Sequence, residues 1–129
     1  MKNTKFFVAV ILAFATNAVA KEPTDAELDD WMLYLKSVGI PSTVEMCSII
    51  LKEDIQLKAN SAKWLENNKD AIERGHVFAA ANPPKNFKST DDYNTSLVED
   101  FKLKFGKQPE DFKISWCQKY ADSIDKRAK

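Results

Sequence analysis

The sequence predicts an all-α protein, a compact bundle of four to five helices stapled by one disulfide bond between Cys47 and Cys117. Three observations predict it. Apolar residues recur at the helical intervals i, i+3, i+4 and i+7, and no stretch alternates with the period of two that a strand requires. The 129 residues include only three glycines. The two cysteines follow an N-terminal segment that is typical of exported proteins, in which cysteines usually pair.

The first twenty residues have the three-part pattern of a secretory signal peptide. Lys2 and Lys5 form a short positive region, residues 6–15 are continuously apolar, and Ala18-Val-Ala20 is a signal-peptidase site. A membrane span needs about 20 apolar residues, roughly twice this run. We therefore expect cleavage after Ala20 and no integral membrane segment in the mature chain. The short signal is typical of Gram-negative bacteria, so the expected location is the periplasm, with the extracellular space as the alternative.

Residues 21–129 are predicted to form a single helical domain. Cleavage removes two lysines and no acid, so the 19 basic and 19 acidic side chains become 17 and 19, a net charge of −2. Binding to nucleic acid requires a basic face, and a nearly neutral chain with interspersed charges does not predict one. We therefore expect no nucleic-acid partner.

Cys47 and Cys117 are the only cysteines, so only one pairing is possible within the chain. A bond between them closes a loop of about 70 residues, which restricts the unfolded chain by roughly 4 kcal/mol on the loop-entropy model. A reactive or metal-binding thiol is the alternative. Neither a Cys-x-x-Cys spacing nor a neighbouring histidine supports that alternative.

Two capping boxes predict where the first helices begin. Thr24-Asp-Ala-Glu27 begins the first helix, and Gly39 with Pro41 is predicted to end it. Ser42-Thr-Val-Glu45 is the second capping box, and the helix after it is predicted to run to about residue 66. The apolar stripe of the first helix is Leu28, Trp31, Met32 and Leu35, and that of the second is Val44, Cys47, Leu51, Ile55, Ala62 and Leu65.

The rest of the chain also has the pattern of helices. Asn67-Asn68 either breaks or kinks the chain, and residues 70–81 form a helix that Asn82-Pro83-Pro84 ends. Ser89 or Thr90 caps the next helix, which Gly106 closes, and Pro109 is predicted to be the first residue of the last one. The residues predicted to pack in these helices are Ile72, Gly75, Ala79, Tyr93, Leu97, Val98, Phe101, Phe105, Phe112, Trp116, Tyr120 and Ile124.

The three tryptophans belong to three different predicted helices. Large aromatic side chains contribute much of the energy of a core, so we predict that Trp31, Trp64 and Trp116 pack inside the bundle. The alternative is a cavity that these rings line, which would carry a small apolar ligand.

The scarcity of histidine limits the possible chemistry. His76 is the only one, and Glu73-Arg-Gly-His76 is half of the pair of motifs that a di-iron bundle needs. A Ser-His-Asp or Cys-His hydrolase would have to use the same histidine as its base. We therefore predict no cofactor, no metal and no catalytic triad. A catalytic pair of carboxylates needs only two acids, and nothing in the sequence selects a pair among the 19.

Acidic residues are concentrated around the start of the first helix. The helix dipole favours acids at this position, and an acidic docking face for a basic partner is the alternative. The acids of this cluster are Glu22, Asp25, Glu27, Asp29 and Asp30.

Asn94-Thr-Ser96 is a glycosylation sequon, which matters only in a eukaryotic source.

The segment Asn82-Pro-Pro-Lys-Asn-Phe87, the 82–87 loop, is the candidate partner-binding site. Its prolines stiffen the backbone, which reduces the entropy lost on binding. In this hypothesis Phe87 is the anchor, and Lys85 and Asn86 form the rim. The alternative is that Phe87 folds back onto the bundle and the loop only ends a helix.

We find no motif specific enough to name a family. The preferred hypothesis is a small exported protein that acts by protein–protein interaction in the cell envelope, as an inhibitor, an immunity protein or an adaptor. The alternatives are a carrier of a small apolar ligand and a carboxylate-pair hydrolase. A closed core with an apolar surface patch would favour interaction, and a continuous cavity would favour the carrier. Two facing acids, one with a raised pKa, would favour the enzyme.

Overall fold

The structure, a computed structural model, describes residues 22–128; the predicted signal peptide, residues 1–20, lies outside them. Within the described residues the chain forms five α-helices and no strand, which confirms the all-α fold class. No helix in this part of the chain is long and apolar enough to cross a membrane. The helices are α1 (Asp25–Leu51), α2 (Asp54–Asn67), α3 (Lys69–Ala81), α4 (Thr90–Gly106) and α5 (Glu110–Ala128).

Helix α1 begins with the predicted capping box. The Thr24 hydroxyl accepts a hydrogen bond from the backbone N–H of Glu27 at 3.1 Å, and the Glu27 carboxylate accepts one from the backbone N–H of Thr24 at 3.0 Å. Two backbone donors that the first turn leaves without helical partners are thereby satisfied.

The predicted end of this helix at Gly39 and Pro41, and the second start at Ser42, are wrong. Helix α1 continues through Pro41 to Leu51. Proline lacks the N–H that would bond the carbonyl four residues earlier, and its ring crowds that turn, which costs about 3 kcal/mol. The neighbours of Pro41 offset this cost because Ile40 and Val44 are buried in the core, with 3% and 9% exposure. Tertiary packing of an amphipathic face contributes most of a helix's stability in a protein.

The chain turns instead at Lys52, eleven residues beyond Pro41. Lys52 is the only non-glycine residue with a positive φ in the described chain, with φ 55° and ψ 35°. Because α2 starts afresh at Asp54, the predicted stripe does not cross the break. Ile55, predicted to be buried, is 82% exposed. The face of α2 that enters the core consists of Leu57, Ser61 and Trp64.

The chain breaks again at Asn68, one of the two outcomes that the sequence left open there. The side-chain amide and the backbone N–H of Asn68 both donate to the Trp64 carbonyl, at 2.8 and 3.1 Å. These bonds satisfy a carbonyl at the end of α2 and allow α3 to begin at Lys69. Helix α3 ends at Ala81, as predicted.

Helices α1 and α3 approach each other most closely at Gly75. A side chain there would meet the Asp30 carbonyl and would lie 2.7 Å from the Tyr34 Cβ, so only glycine fits without movement. The Tyr34 ring stacks on the His76 ring, with centroids 5.2 Å apart. The Arg74 guanidinium makes two hydrogen bonds to the Asp30 carboxylate, at 2.8 and 3.2 Å.

The last two helices have nearly the predicted bounds. The Ser89 hydroxyl caps α4 by accepting from the Asp92 N–H at 3.1 Å, and Gly106 is the last residue of α4. Helix α5 begins at Glu110, one residue after the predicted Pro109, whose carbonyl accepts from the Lys113 N–H at 3.1 Å.

The predicted disulfide is present and joins α1 to α5. The Cα atoms of Cys47 and Cys117 are 5.3 Å apart, and both residues are fully buried. Cys47 lies near the end of α1, and not in the first turns of a second helix as predicted, because the predicted break is absent. Helix α1 packs against all four other helices, and α2 also packs on α5. The core consists of Ile40, Val44, Cys47, Leu57, Trp64, Phe105, Cys117 and Ile124.

Two of the three tryptophans pack in or against this core. Trp64 is 1% exposed. The Trp116 ring contacts the rings of Phe101 and Phe105, with centroids 5.4 and 5.2 Å apart, and stacks on Tyr120 at 6.0 Å. These rings are packed against one another and against the core. Trp31 is half-buried on α1.

Candidate functional site

The 82–87 loop lies in the connection between α3 and α4, and hydrogen bonds fix both of its ends. The Thr90 hydroxyl at the start of α4 donates to the Ala79 carbonyl of α3 at 2.8 Å, and this bond is buried. The Asn82 side-chain amide donates to the Phe78 carbonyl, also at 2.8 Å, and its backbone N–H donates to Ala79. The last turn of α3 is thus tied to the first turn of α4, and the connection is closed at its base.

The middle of the loop is a turn held by its backbone and by an aromatic contact. The Phe87 N–H donates to the Pro84 carbonyl at 3.2 Å. The Phe87 ring meets the Tyr93 ring of α4 edge-on, with centroids 5.1 Å apart and planes at 69°. Edge-to-face contacts of this kind stabilise a pair of rings by about 0.5–1.5 kcal/mol beyond the area they bury. The turn is therefore supported from below by α4.

The structure brings the three candidate residues together on one turn. Lys85 and Asn86 are exposed, and Phe87 is half-buried. Phe87 packs on Tyr93 and still keeps part of its ring accessible, so it combines features of both interpretations of the loop. Lys88 follows on the same segment and is exposed as well. The 82–87 loop thus presents an amide, a lysine and a partly accessible aromatic ring, and a second lysine follows it directly; its role in binding remains a prediction.

Two of the five acids in the cluster at the start of α1 have structural partners. Glu27 belongs to the capping box, and Asp30 pairs with Arg74 across the α1–α3 contact. The hydrogen bond from Arg74 holds the pKa of Asp30 below its usual value, with a further contribution from the guanidinium charge and an opposing effect of burial. A general acid near neutral pH requires a raised pKa. The Asp30 carboxylate, whose pKa is lowered, is therefore suited to ion pairing and not to proton donation.

His76 and Asn94, the asparagine of the sequon, both contact Tyr34 of α1. The imidazole of His76 is stacked on Tyr34. Among residues 22–128, no group of three or more His, Cys, Asp or Glu side chains is arranged to hold a metal ion. Asn94 is buried, and its amide donates to the Tyr34 hydroxyl at 2.6 Å. A glycan on Asn94 would require this bond and the surrounding packing to open.

A second surface, which the sequence interpretation missed, lies between α1 and the start of α2. It is an open groove of about 530 Å³, the α1–α2 groove, lined by Pro41, Val44, Glu45, Ser48, Ile49, Lys52, Asp54 and Lys58. Ile49 is 74% exposed in its α1 wall. The sequence carries one signal of this surface, the adjacent pair Ile49-Ile50, because neighbouring residues on a helix point in directions about 100° apart.

Comparison with protein-family models, with curated proteins and with solved structures finds no match to this chain.

Proposed function

We propose that this protein is exported to the periplasm, with cleavage after Ala20, and acts there by binding another protein of the cell envelope. It would serve as an inhibitor, an immunity protein or an adaptor, with the 82–87 loop as its contact surface. The observation that carries the proposal is the construction of that loop. Its base is closed by the Thr90–Ala79 bond, and its tip exposes Lys85 and Asn86 beside Phe87.

This construction suits recognition because a surface that is already ordered loses little entropy when it binds. Phe87 supplies a partly accessible aromatic ring, and aromatic side chains are enriched among residues that dominate binding energy. Lys85 and Lys88 are exposed and have no ion pair among the described residues. They favour a partner whose contact surface carries carboxylates, which they would meet without first breaking an internal pair.

The packing of the aromatic rings and the pairing of Asp30 favour interaction over the two alternatives. A carrier would require accessible space between the aromatic helices, whereas Trp64 is buried and Trp116 is packed on three aromatic rings. A carboxylate-pair hydrolase would require one acid with a raised pKa, and Asp30 does not suit that role because Arg74 lowers its pKa.

Site-specific photocrosslinking in the cells that export the protein tests the proposal. A benzoylphenylalanine placed at position 85 should give a light-dependent adduct with one envelope protein, because Lys85 is at the tip of the loop. The matched control is the same group at position 119, since Lys119 is an exposed lysine on α5. Absence of an adduct at position 85, or the same adduct from both positions, would contradict the proposal.

A further inference from the structure

The α1 wall of the groove carries opposite charges at its two ends. Glu45 and Ile49 lie four residues apart on one face of α1, and Lys52, the residue at which the chain turns after the helix, lines the same groove. Lys52 comes directly after the end of α1, so its backbone is about 10 Å from that of Glu45 along the helix axis at 1.5 Å per residue, with Ile49 between them. Both charged residues are exposed, and neither has an ion pair among the described residues.

The opposite wall of the groove is electrically balanced. The Lys58 ammonium and the Asp54 carboxylate on α2 pair with each other at 3.4 Å. The charges left for an incoming molecule are therefore Glu45 and Lys52, and the apolar contact between them is Ile49. An apolar centre with a charged rim is the usual anatomy of a protein interface.

We propose that the occupant of the α1–α2 groove is a second copy of this chain. When two α1 helices cross antiparallel about a two-fold axis at Ile49, Glu45 of each copy meets Lys52 of the other. The two Ile49 side chains then cover each other at the axis. Such an interface is isologous, because the same patch serves on both sides.

The charge pattern selects this arrangement over others. A parallel approach of two copies would place Glu45 against Glu45 and Lys52 against Lys52, and like charges across an interface oppose binding. A partner whose surface carries one sign of charge would match one end of the groove and be repelled at the other. In the antiparallel pair, one two-fold rotation places opposite charges together at both ends of the groove. This inference is independent of the proposed function, since the 82–87 loop belongs to the α3–α4 connection and each copy keeps its own.

Charge reversal at the two ends provides the test. The mature protein should sediment with a mean mass that rises from monomer to dimer with concentration, and added salt should weaken the association by screening the pairs. Glu45→Lys and Lys52→Glu should each raise the dissociation constant at least about tenfold, because each variant turns both attractive pairs into repulsive ones. Glu99→Lys, a reversal at an exposed site on α4, is the matched control and should dimerise like the wild type.

A mixture of the two variants gives the decisive result. The Glu45→Lys chain presents only lysines at these two positions and the Lys52→Glu chain only glutamates, so equal amounts should restore a heterodimer. Circular dichroism verifies that each variant is folded. A wild type that stays monomeric, single variants that dimerise normally, or a mixture that stays monomeric would each overturn the inference. A monomer that still crosslinks at position 85 refutes only the second copy, whereas a dimer without that adduct refutes only the proposed function.

Discussion

At Gly75 the backbones of α1 and α3 come so close that a side chain has no room. The nearest atoms are the backbone carbonyl of Asp30 and the Cβ of Tyr34, neither of which is the end of a flexible chain. Relief therefore requires the helices to move apart, which would also disturb the Tyr34–His76 stack and the Arg74–Asp30 pair. One missing methyl group thus sets the spacing of the α1–α3 contact.

Replacing this glycine should destabilise the protein even though alanine is the better helix former. We expect Gly75→Ala to lower the free energy of unfolding by about 2 kcal/mol, since overpacking outweighs the gain in helix propensity. Gly39→Ala is the matched control. Nothing lies within 4 Å of a Cβ at Gly39, so that variant should gain about 0.5–1 kcal/mol. Urea unfolding of both variants measures the difference, and equal effects of one sign would contradict the close contact.

Tyr120 provides a test that depends on pH. Burial raises the pKa of its hydroxyl above the usual 10.0, against a smaller opposing effect of the hydrogen bond with Ser61. A raised pKa means that folding favours the neutral form. Its contribution to stability is therefore present below about pH 10 and is lost as the pH rises through the folded-state pKa. Tyr120→Phe should flatten the alkaline end of the stability profile; a profile as steep as that of the wild type would show that Tyr120 is not its source.

Some surface residues could be selected from the sequence alone, and others could not. The sequence selected Lys85, Asn86 and Phe87 as candidates because two prolines and an aromatic residue in a loop can be recognised without a structure. It did not reveal the α1–α2 groove, because that groove depends on where α1 ends. Ile55 was assigned to the core by extending one helical period across Lys52, where the chain in fact turns. Apolar residues at helical spacing predict a common buried face only when they belong to one uninterrupted helix.

Among the elements, α1 departs most from its local sequence signals. Gly39 and Pro41 are strong stop signals, yet α1 passes through both because its faces meet all four other helices. The stop actually used, a lysine in the left-handed conformation, has no sequence signal, since glycine or asparagine is the usual residue there. The caps at Thr24 and Ser89 were predictable because they depend on neighbouring residues alone.

Removing the proline should strengthen α1. Pro41→Ala restores an N–H that can bond the Ser37 carbonyl, and Pro41 is exposed, so no core contact is lost. The gain of up to about 3 kcal/mol is partly offset because proline also restricts the unfolded chain. We expect a net increase in unfolding free energy of about 1–2 kcal/mol in chemical unfolding. A decrease would indicate that the proline shapes α1 in a way the fold requires.

For the molecule as a whole, the disulfide is the main covalent constraint. It joins residues 70 apart in sequence and holds the end of α1 against the middle of α5. Both cysteines are fully buried among core side chains, so the bond and the apolar core stabilise the same contact.

Removing both cysteines should therefore affect stability strongly. The double variant Cys47→Ser, Cys117→Ser should lose about 4 kcal/mol, much of a typical total stability, because a long loop of the unfolded chain is released. The native protein from an oxidising compartment should show no free thiol when it is titrated in denaturant. Two titratable thiols per chain, or an unchanged melting temperature in the double variant, would contradict the disulfide.

The measurement that tests the central claim most directly compares Phe87→Ala with Phe112→Ala in the position-85 crosslinking experiment. Phe112 is an exposed phenylalanine, 47% accessible, in the first turn of α5, away from the 82–87 loop. We predict that Phe87→Ala reduces the adduct about tenfold or more, as loss of an aromatic anchor should. Its unfolding free energy should fall by only about 1 kcal/mol, from the lost contact with Tyr93. Phe112→Ala should leave the adduct unchanged. A folded Phe87→Ala protein that forms as much adduct as the wild type would contradict the assignment of the 82–87 loop as the contact surface.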